Sequence, residues 1–323
     1  MCLLGAAASA PALTVDSVGI GLAGRREFSF VSDTNSYYIL YRGAVVTNID
    51  TPVVMRLGIG STTPLRDVSP QTNAGFYRVL AVPQSQPLDI DGDGIDDVFE
   101  LQHPGCLDPF DPTDASVDCD GDGRSNLQEY YEGTDPGVVD TVPHLVINEL
   151  DYDQPGTDTQ EFIELKNTGT NALNVSHYAL VFINGANNAE YSRVVLSGTL
   201  AAGQYLVAAS TNVTVDAGAR LINLPLGTNA IQNGSPDGVA LVNLGMTNVV
   251  DALSYAGAVT AAIINGFPGT YTLVEGSATS ATDSGSVTRS LIRYPDGADT
   301  DNASGDWSST STPTPGTANS LTP

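Results

Sequence analysis

The stretch from Leu88 to Asp135 holds two acidic runs of one form, Asp89-Ile-Asp-Gly-Asp-Gly-Ile-Asp-Asp-Val-Phe-Glu100 and Asp118-Cys-Asp-Gly-Asp-Gly-Arg-Ser-Asn-Leu-Gln-Glu129. In each, side-chain oxygens fall at positions 1, 3, 5, 9 and 12, a glycine at 6 and a free backbone carbonyl at 7, the offsets of a twelve-residue calcium loop. Alternate Asp side chains on a short wrapping loop point inward together. Gly94 and Gly123 permit the sharp turn, and the late Glu closes the shell with two oxygens. The first loop thus offers Asp89, Asp91, Asp93, the Ile95 carbonyl, Asp97 and Glu100. The second offers Asp118, Asp120, Asp122, the Arg124 carbonyl, Asn126 and Glu129. Two carboxylates about 4 Å apart repel by roughly 4 kcal/mol at an effective dielectric near 20, so such loops need a cation to keep their shape. A plain solvated linker is the alternative, but it would not repeat the same Gly and Glu offsets.

Pro83 and Pro87 precede the first loop, and Pro109 and Pro112 the second, so helices entering the loops are disfavoured. Exiting helices are expected over Asp96 to Gln102 and Ser125 to Tyr131, where Val98, Leu101, Leu127 and Tyr130 fall at helical spacing. The segment resembles the thrombospondin type 3 repeats of bacterial extracellular proteins, with DIDGDGIDDVFE and DCDGDGRSNLQE as the repeat cores and Asn126 to Pro136 as the usual tail. Asp96 stands where a paired EF-hand prefers an apolar residue. Asp108, Asp111, Asp114 and Asp135 are further candidate oxygens, or ordinary turn residues.

The formal charge is −25, from 12 Lys and Arg against 37 Asp and Glu. With Lys166 the single lysine, a nucleic-acid partner is excluded as a class, since phosphate binding rests on clustered cations. Cys106 and Cys119 flank the spacer between the loops. In an oxidising compartment a bridge there closes a loop of about 14 residues, which the chain-entropy model credits with about 3 kcal/mol. Residues 1–13 read as the remnant of a signal peptide, with an apolar run ending in Ala-Ser-Ala, although a basic start is missing and Pro11 is awkward beside a cleavage site. No apolar run reaches the roughly 20 residues that span a bilayer, so an integral membrane segment is not expected.

Residues 14–85 read as a small β-module, with strands expected over Glu27 to Val31, Tyr37 to Tyr41, Val53 to Gly60 and Gly75 to Val82. An open sandwich or a single curved sheet fits them. Tyr37, Tyr38, Tyr41, Phe76 and Tyr77 are read first as core and second as a sugar-stacking face.

Residues 143–318 change character. LVINELDYD, QEFIELKNTG, SHYALVFING, RVVLSG, GQYLVAAS, DGVALVNLG and VVDALSYAG form a string of strands with turns at short intervals, as in an all-β sandwich. The region resembles the bacterial lamin-tail domain on Ile147-Asn-Glu149, Glu161-Phe-Ile-Glu-Leu-Lys-Asn167, Asp237-Gly-Val-Ala-Leu241, Asp306-Trp307 and Pro313-Thr-Pro-Gly316. That resemblance implies an immunoglobulin-like sandwich and says little about activity. Glu149, Asp151, Asp153, Asp158, Glu161 and Glu164 crowd the first two strands and their connection. They offer a metal or acid–base site, or, in the plainer reading, strand-end residues and a solvated hairpin loop.

His103, His144 and His177 show no zinc-binding spacing, and there is no nucleophile elbow, phosphate loop or redox cysteine pair. The chain is therefore expected to be mostly β and not an enzyme, with a calcium-binding loop and short-helix segment at 86–138 between the β-module and the sandwich. The expected role is that of a secreted or cell-surface structural or adhesion protein whose spacer is rigidified by two or more calcium ions. Its partner would be an extracellular protein or glycan. The alternative is a carbohydrate-binding or targeting accessory of an extracellular hydrolase system, as the lamin-tail resemblance implies.

Overall fold

The unbroken apolar run from Tyr37 to Tyr41 needs cover on two faces, and it has both in the computed structural model, which describes residues 17–20, 25–69, 75–139, 145–225 and 229–322. The proposed signal remnant at 1–13 and His144 lie outside the described residues. The chain divides into two compact units, and the division falls inside the second acidic run. Residues up to 119 together with 125–127 form one unit, and 120–124 together with 128–323 form the other.

The first unit begins with β1 (Ser17–Ile20), β2 (Arg26–Val31), β3 (Ser36–Gly43), β4 (Thr51–Leu57), β5 (Thr62–Asp67) and β6 (Phe76–Pro83). They form two antiparallel sheets, ordered β1-β2-β5 and β4-β3-β6. Side chains alternate across β3. Tyr38 and Leu40 pack with Phe28, Phe30 and Leu65 of the facing sheet. Tyr37, Ile39 and Tyr41 point the other way and pack with Met55, Val82, Val98, Ile90 and Leu101. The second group places the first acidic run and its exit helix α1 (Asp97–Gln102) on the outer face of the β4-β3-β6 sheet. The module is thus a two-sheet sandwich with a third layer, not a single curved sheet. The reading of Val53 to Gly60 as one strand ran past Leu57 and missed β5, because TTPLRD contains a proline that β5 tolerates as a sheet-edge residue paired on one side with β2. Tyr37, Tyr38 and Tyr41 are core residues, while Phe76 is exposed.

Both exit helices form, with α2 at Asn126–Glu132. Asp96 caps α1, its carboxylate accepting from the Val98 and Phe99 amides at 2.9 Å. Its polar side chain at position 8 is therefore required by the helix start. His103 closes α1, its ring tilted 36° against that of Phe99 and its Nδ1 2.8 Å from the Phe99 carbonyl.

The second unit carries β7 (Leu145–Asp151), β8 (Phe162–Asn167), β9 (Leu173–Asn174), β10 (Tyr178–Asn184), β11 (Ala189–Val195), β12 (Thr199–Leu200), β13 (Tyr205–Ala209), β14 (Arg220–Asn223), β15 (Asp237–Asn243), β16 (Asn248–Tyr255), β17 (Ser290–Arg293), the short helix α3 (Ala303–Asp306) and β18 (Trp307–Thr310). A six-stranded sheet, β14-β13-β8-β7-β17-β18, faces a four-stranded one, β11-β10-β15-β16, and a β12-β9 pair lies beside them. The main core between the sheets includes Ile147, Leu165, Leu180, Phe182, Leu241, Leu253 and Trp307. The second face of β10 and β15 is also buried, under Val259, Ala262, Ile264 and Leu273, so both strands are apolar on both sides. This is a mostly β, immunoglobulin-like sandwich. Among the described residues, no helix is long and apolar enough to cross a membrane.

Candidate metal centre and the carboxylates of the sandwich

The first acidic run folds as its glycines require. Gly92 and Gly94 have φ of +82° and +99°, and Gly121 and Gly123 repeat these values at +83° and +98°. A side chain would strain any of the four positions. Gly92 and Gly121 thus share the role that the loop motif assigns to Gly94 and Gly123. The two runs also agree in a backbone bond from position 9 to the residue before position 1, Asp97 N to Leu88 O and Asn126 N to Val117 O, each 2.8 Å.

In the first run each Asp is held by its own turn. Asp89 accepts from the amides of Gly92 (2.7 Å) and Gly94 (3.1 Å), Asp91 Oδ1 from Asp93 N at 3.4 Å, and Asp93 Oδ1 from Ile95 N at 2.8 Å. The other oxygens are left over. Asp91 Oδ2, Asp93 Oδ2 and both oxygens of Glu100 are buried without a hydrogen-bond partner, and so is Asp114 Oδ1. Oxygens of Asp89, Asp91 and Asp93 lie within 4.8 Å of one another, as do those of Asp93, Glu100 and Asp114. Asp93 belongs to both groups. Native proteins satisfy nearly all buried polar atoms, so five carboxylate oxygens in one place without a hydrogen-bond partner are an unusual arrangement.

The charges in this cluster are also crowded. Burial, followed by the charges of Asp91, Asp93 and Asp114, pushes the Glu100 carboxyl up to about 9. Burial and the neighbouring Asp93 raise Asp91 to about 6, and Asp114 is raised mainly by burial. A bound dication reverses this penalty, because an opposite charge favours the ionised form.

Asp97 and Asp114 are placed differently from the other acids around this run. Asp97 has both oxygens engaged, accepting from Ile90 N (2.9 Å) and from the Tyr37 hydroxyl (2.8 Å), and is in neither of the first run's oxygen groups. It fixes the loop to β3, and its carboxyl rises to about 6 mainly through burial. Asp114, a weak candidate from sequence, is brought to Glu100 by a 3-10 turn at Asp114–Ser116. The Ile95 amide donates to Asp93, and its side chain is fully buried.

In the second run, oxygens of Asp118, Asp120 and Asp122 lie within 4.8 Å of one another. Asp120 Oδ1 accepts from Asp122 N (3.0 Å) and Asp122 Oδ1 from Arg124 N (2.9 Å), repeating the first run's tethers. Asp120 Oδ2 and Asn126 Oδ1 are buried without a partner. The Arg124 guanidinium lies 3.2 Å from Asp122 and 3.3 Å from Glu132, a local cation that the first run lacks. Asn126 donates to the Asp114 carbonyl at 2.9 Å, and Glu129 is fully buried. After Glu129, α2 runs onto the sandwich. Tyr178 donates to the Glu132 carbonyl, Asn243 donates to that of Tyr131, and His177 packs edge-on against both Tyr130 and Tyr131.

The acids of the sandwich are used differently. Glu149 accepts from the Ser290 hydroxyl and from both the amide and hydroxyl of Thr314. Glu164 accepts from Asn148 (2.7 Å) and the Gly316 amide (2.6 Å). Together they hold the segment Pro313-Thr-Pro-Gly316 against β7 and β8. Glu161 accepts from the Ala230 and Ile231 amides, and burial lifts its carboxyl to about 7. The 151–158 connection is a β7–β8 hairpin loop with an exposed tip at 155–157, as in the plainer reading, but its acidic flanks are not solvated. Asp151, Gln154 and Asp158 are buried, and Asp283 accepts from the Tyr152 and Asp153 amides. Burial and the Asp283 charge push the Asp151 carboxyl up. Buried Arg293 meets Asp251, Asp299, Asp306 and Glu275 at 2.7 to 3.4 Å, beneath the Trp307 ring.

This sandwich, in which Glu149, Glu161 and Glu164 each accept from at least one backbone amide, has the immunoglobulin-like architecture expected of a lamin-tail domain. Residues 139–257 match the family model of the Lamin Tail Domain. That match spans β7 to β16, while β17 and β18, which extend the six-stranded sheet beyond β7, lie outside it. No curated protein matches the chain. Among solved structures, a Bacteroides uniformis beta-glucuronidase 2 covalently bound to cyclophellitol-6-carboxylate aziridine shows 10% identity over 72% of this chain and 26% of that one. At a TM-score of 0.18 that likeness carries neither fold nor activity across.

Proposed function

We propose that this chain is a calcium-dependent, non-enzymatic structural or adhesion protein, in which calcium orders the acidic segment joining its two β-units. The observation that carries the reading is Glu100, a fully buried carboxylate with neither oxygen paired, facing Asp93 and Asp114. Asp89, Asp91, Asp93, Glu100 and Asp114 would hold the first ion, with the Ile95 carbonyl completing the shell as in other loops of this form. The second run would hold another through Asp118, Asp120, Asp122, the Arg124 carbonyl, Asn126 and Glu129. The segment reads as thrombospondin type 3-like on its two motif copies and exit helices.

The Cys106–Cys119 bridge supports a place outside the cell or on its surface, where disulfides persist. The partner class is an extracellular protein or glycan. Protease resistance of the intact chain tests the role: stripping calcium with a chelator should open residues 88–138 to cleavage and leave the sandwich intact. Unchanged resistance would refute the ordering role.

A further inference from the structure

Asp114 reaches the first acidic run from outside it, and what holds it there is the spacer between Cys106 and Cys119. That spacer has little structure of its own. Its one regular element is the 3-10 turn at Asp114–Ser116, and its buried apolar side chains include Leu107 and Ala115, while Phe110 and Val117 are exposed. Short polar tethers shape it: the Asp108 amide donates to Asp114 Oδ2 at 2.7 Å, and Asn126 donates to the Asp114 carbonyl at 2.9 Å and to the Cys106 carbonyl at 3.4 Å. The disulfide closes this loop, with the two Cα atoms 5.7 Å apart across 13 residues.

We infer that the Cys106–Cys119 bridge is a positioning element of the first cation site, acting through Asp114, so that the thiol redox state sets the affinity of that site. This rests on the calcium reading above. With the bridge closed, the entropy of ordering the spacer is largely spent before the ion arrives. With it open, binding must order the spacer to recover the Asp114 oxygen beside Asp93 and Glu100. Cys119 is exposed, so a small dithiol can reach it. Reduction transfers two electrons and two protons from the dithiol, which leaves as a cyclic disulfide, and gives two protein thiols. By reciprocity, calcium must also make the bridge harder to reduce by the same factor.

The test is calorimetric calcium titration of the intact chain, oxidised, reduced with dithiothreitol, and as Cys106→Ser/Cys119→Ser, with Glu100→Gln identifying the first-site heat. Trp307, the single tryptophan, reports by fluorescence that the sandwich remains folded. Opening the bridge should weaken the first site about ten- to a hundredfold, the range the loop-closure entropy allows. In an Asp114→Asn background the same opening should change affinity less than about twofold, since the route through Asp114 is already cut. A tenfold coupling should lower the bridge's reduction midpoint by about 30 mV in saturating calcium. The reduced wild type serves as second sample should the Ser pair misfold. Equal affinity with the bridge open and closed, or an equal loss in the Asp114→Asn background, would overturn the inference. Absence of any first-site heat in the oxidised chain would instead overturn the calcium reading beneath it.

Discussion

Buried carboxylates sit in both halves of this molecule, and they are satisfied in opposite ways. Glu149, Glu161 and Glu164 in the sandwich meet backbone amides and hydroxyls with their oxygens. Glu100 meets only other acids among its strong neighbours, and neither of its oxygens has a donor. An acid that accepts amide hydrogens is a strut, which fixes two pieces of chain whatever the solvent contains. An acid that faces other acids has no such donor, and in the proposed function a divalent ion takes that place. Burial alone does not distinguish them; the partner of each oxygen does.

Several measurements break or sharpen this contrast. The largest effect is expected for Glu149→Ala, which strips the acceptor from Ser290 and Thr314 and should cost the sandwich about 3 to 5 kcal/mol, at 1–3 kcal/mol per orphaned donor. Denaturant unfolding followed at Trp307 checks it, and calcium affinity should not move. Calcium itself comes next. At a free concentration a hundredfold above the dissociation constant it should protect the amides of Leu88 to Gln102 from hydrogen exchange by about 2.7 kcal/mol, leaving those of Phe162 to Asn167 unchanged.

The pH dependence follows in size. Without calcium, Glu100 near 9 and Asp91 and Asp97 near 6 lie above their ordinary values of 4.5 and 3.8. The folded loop thus holds protons that the unfolded chain has released, so its stability is full below about pH 4 and is lost as pH rises through 6 and on to 9. Saturating calcium should abolish that loss across neutral pH, which exchange rates measured at pH 5 and pH 8 with and without the ion will reveal. Glu161→Gln should cost about 1 kcal/mol, because one amide donor loses its acceptor while the other is kept, with no change in ion binding. Smallest is Arg124→Gln: removing the guanidinium beside Asp122 should tighten the second site a few-fold, since it competes with the ion for that carboxylate.

Much of this was legible from the residues. The two acidic runs, their exit helices, the Cys106–Cys119 bridge and the sandwich strands all follow from local offsets or alternation, and local rules are what a sequence displays directly. What escaped was non-local. Asp97 fits position 9 of a calcium loop, yet Tyr37, sixty residues earlier, takes one of its oxygens. Asp114 was legible only as a candidate oxygen or a turn residue, because its turn is visible in sequence and its approach to Glu100 is not. The connection from Asp151 to Asp158 read as solvated because acids usually are, and the segment around Asp283 that buries it lies 131 positions away. Asp96 was legible in part, as a break from the EF-hand pattern, and helix capping supplies the reason.

The central claim is that the unpaired oxygens around Glu100 exist for a divalent ion, and calcium titration of the intact chain by calorimetry tests it most directly. The account predicts saturable heats, with one component lost in Glu100→Gln while the sandwich keeps its fold. Titration heats no larger than dilution, or a wild-type curve reproduced unchanged by Glu100→Gln, would contradict it.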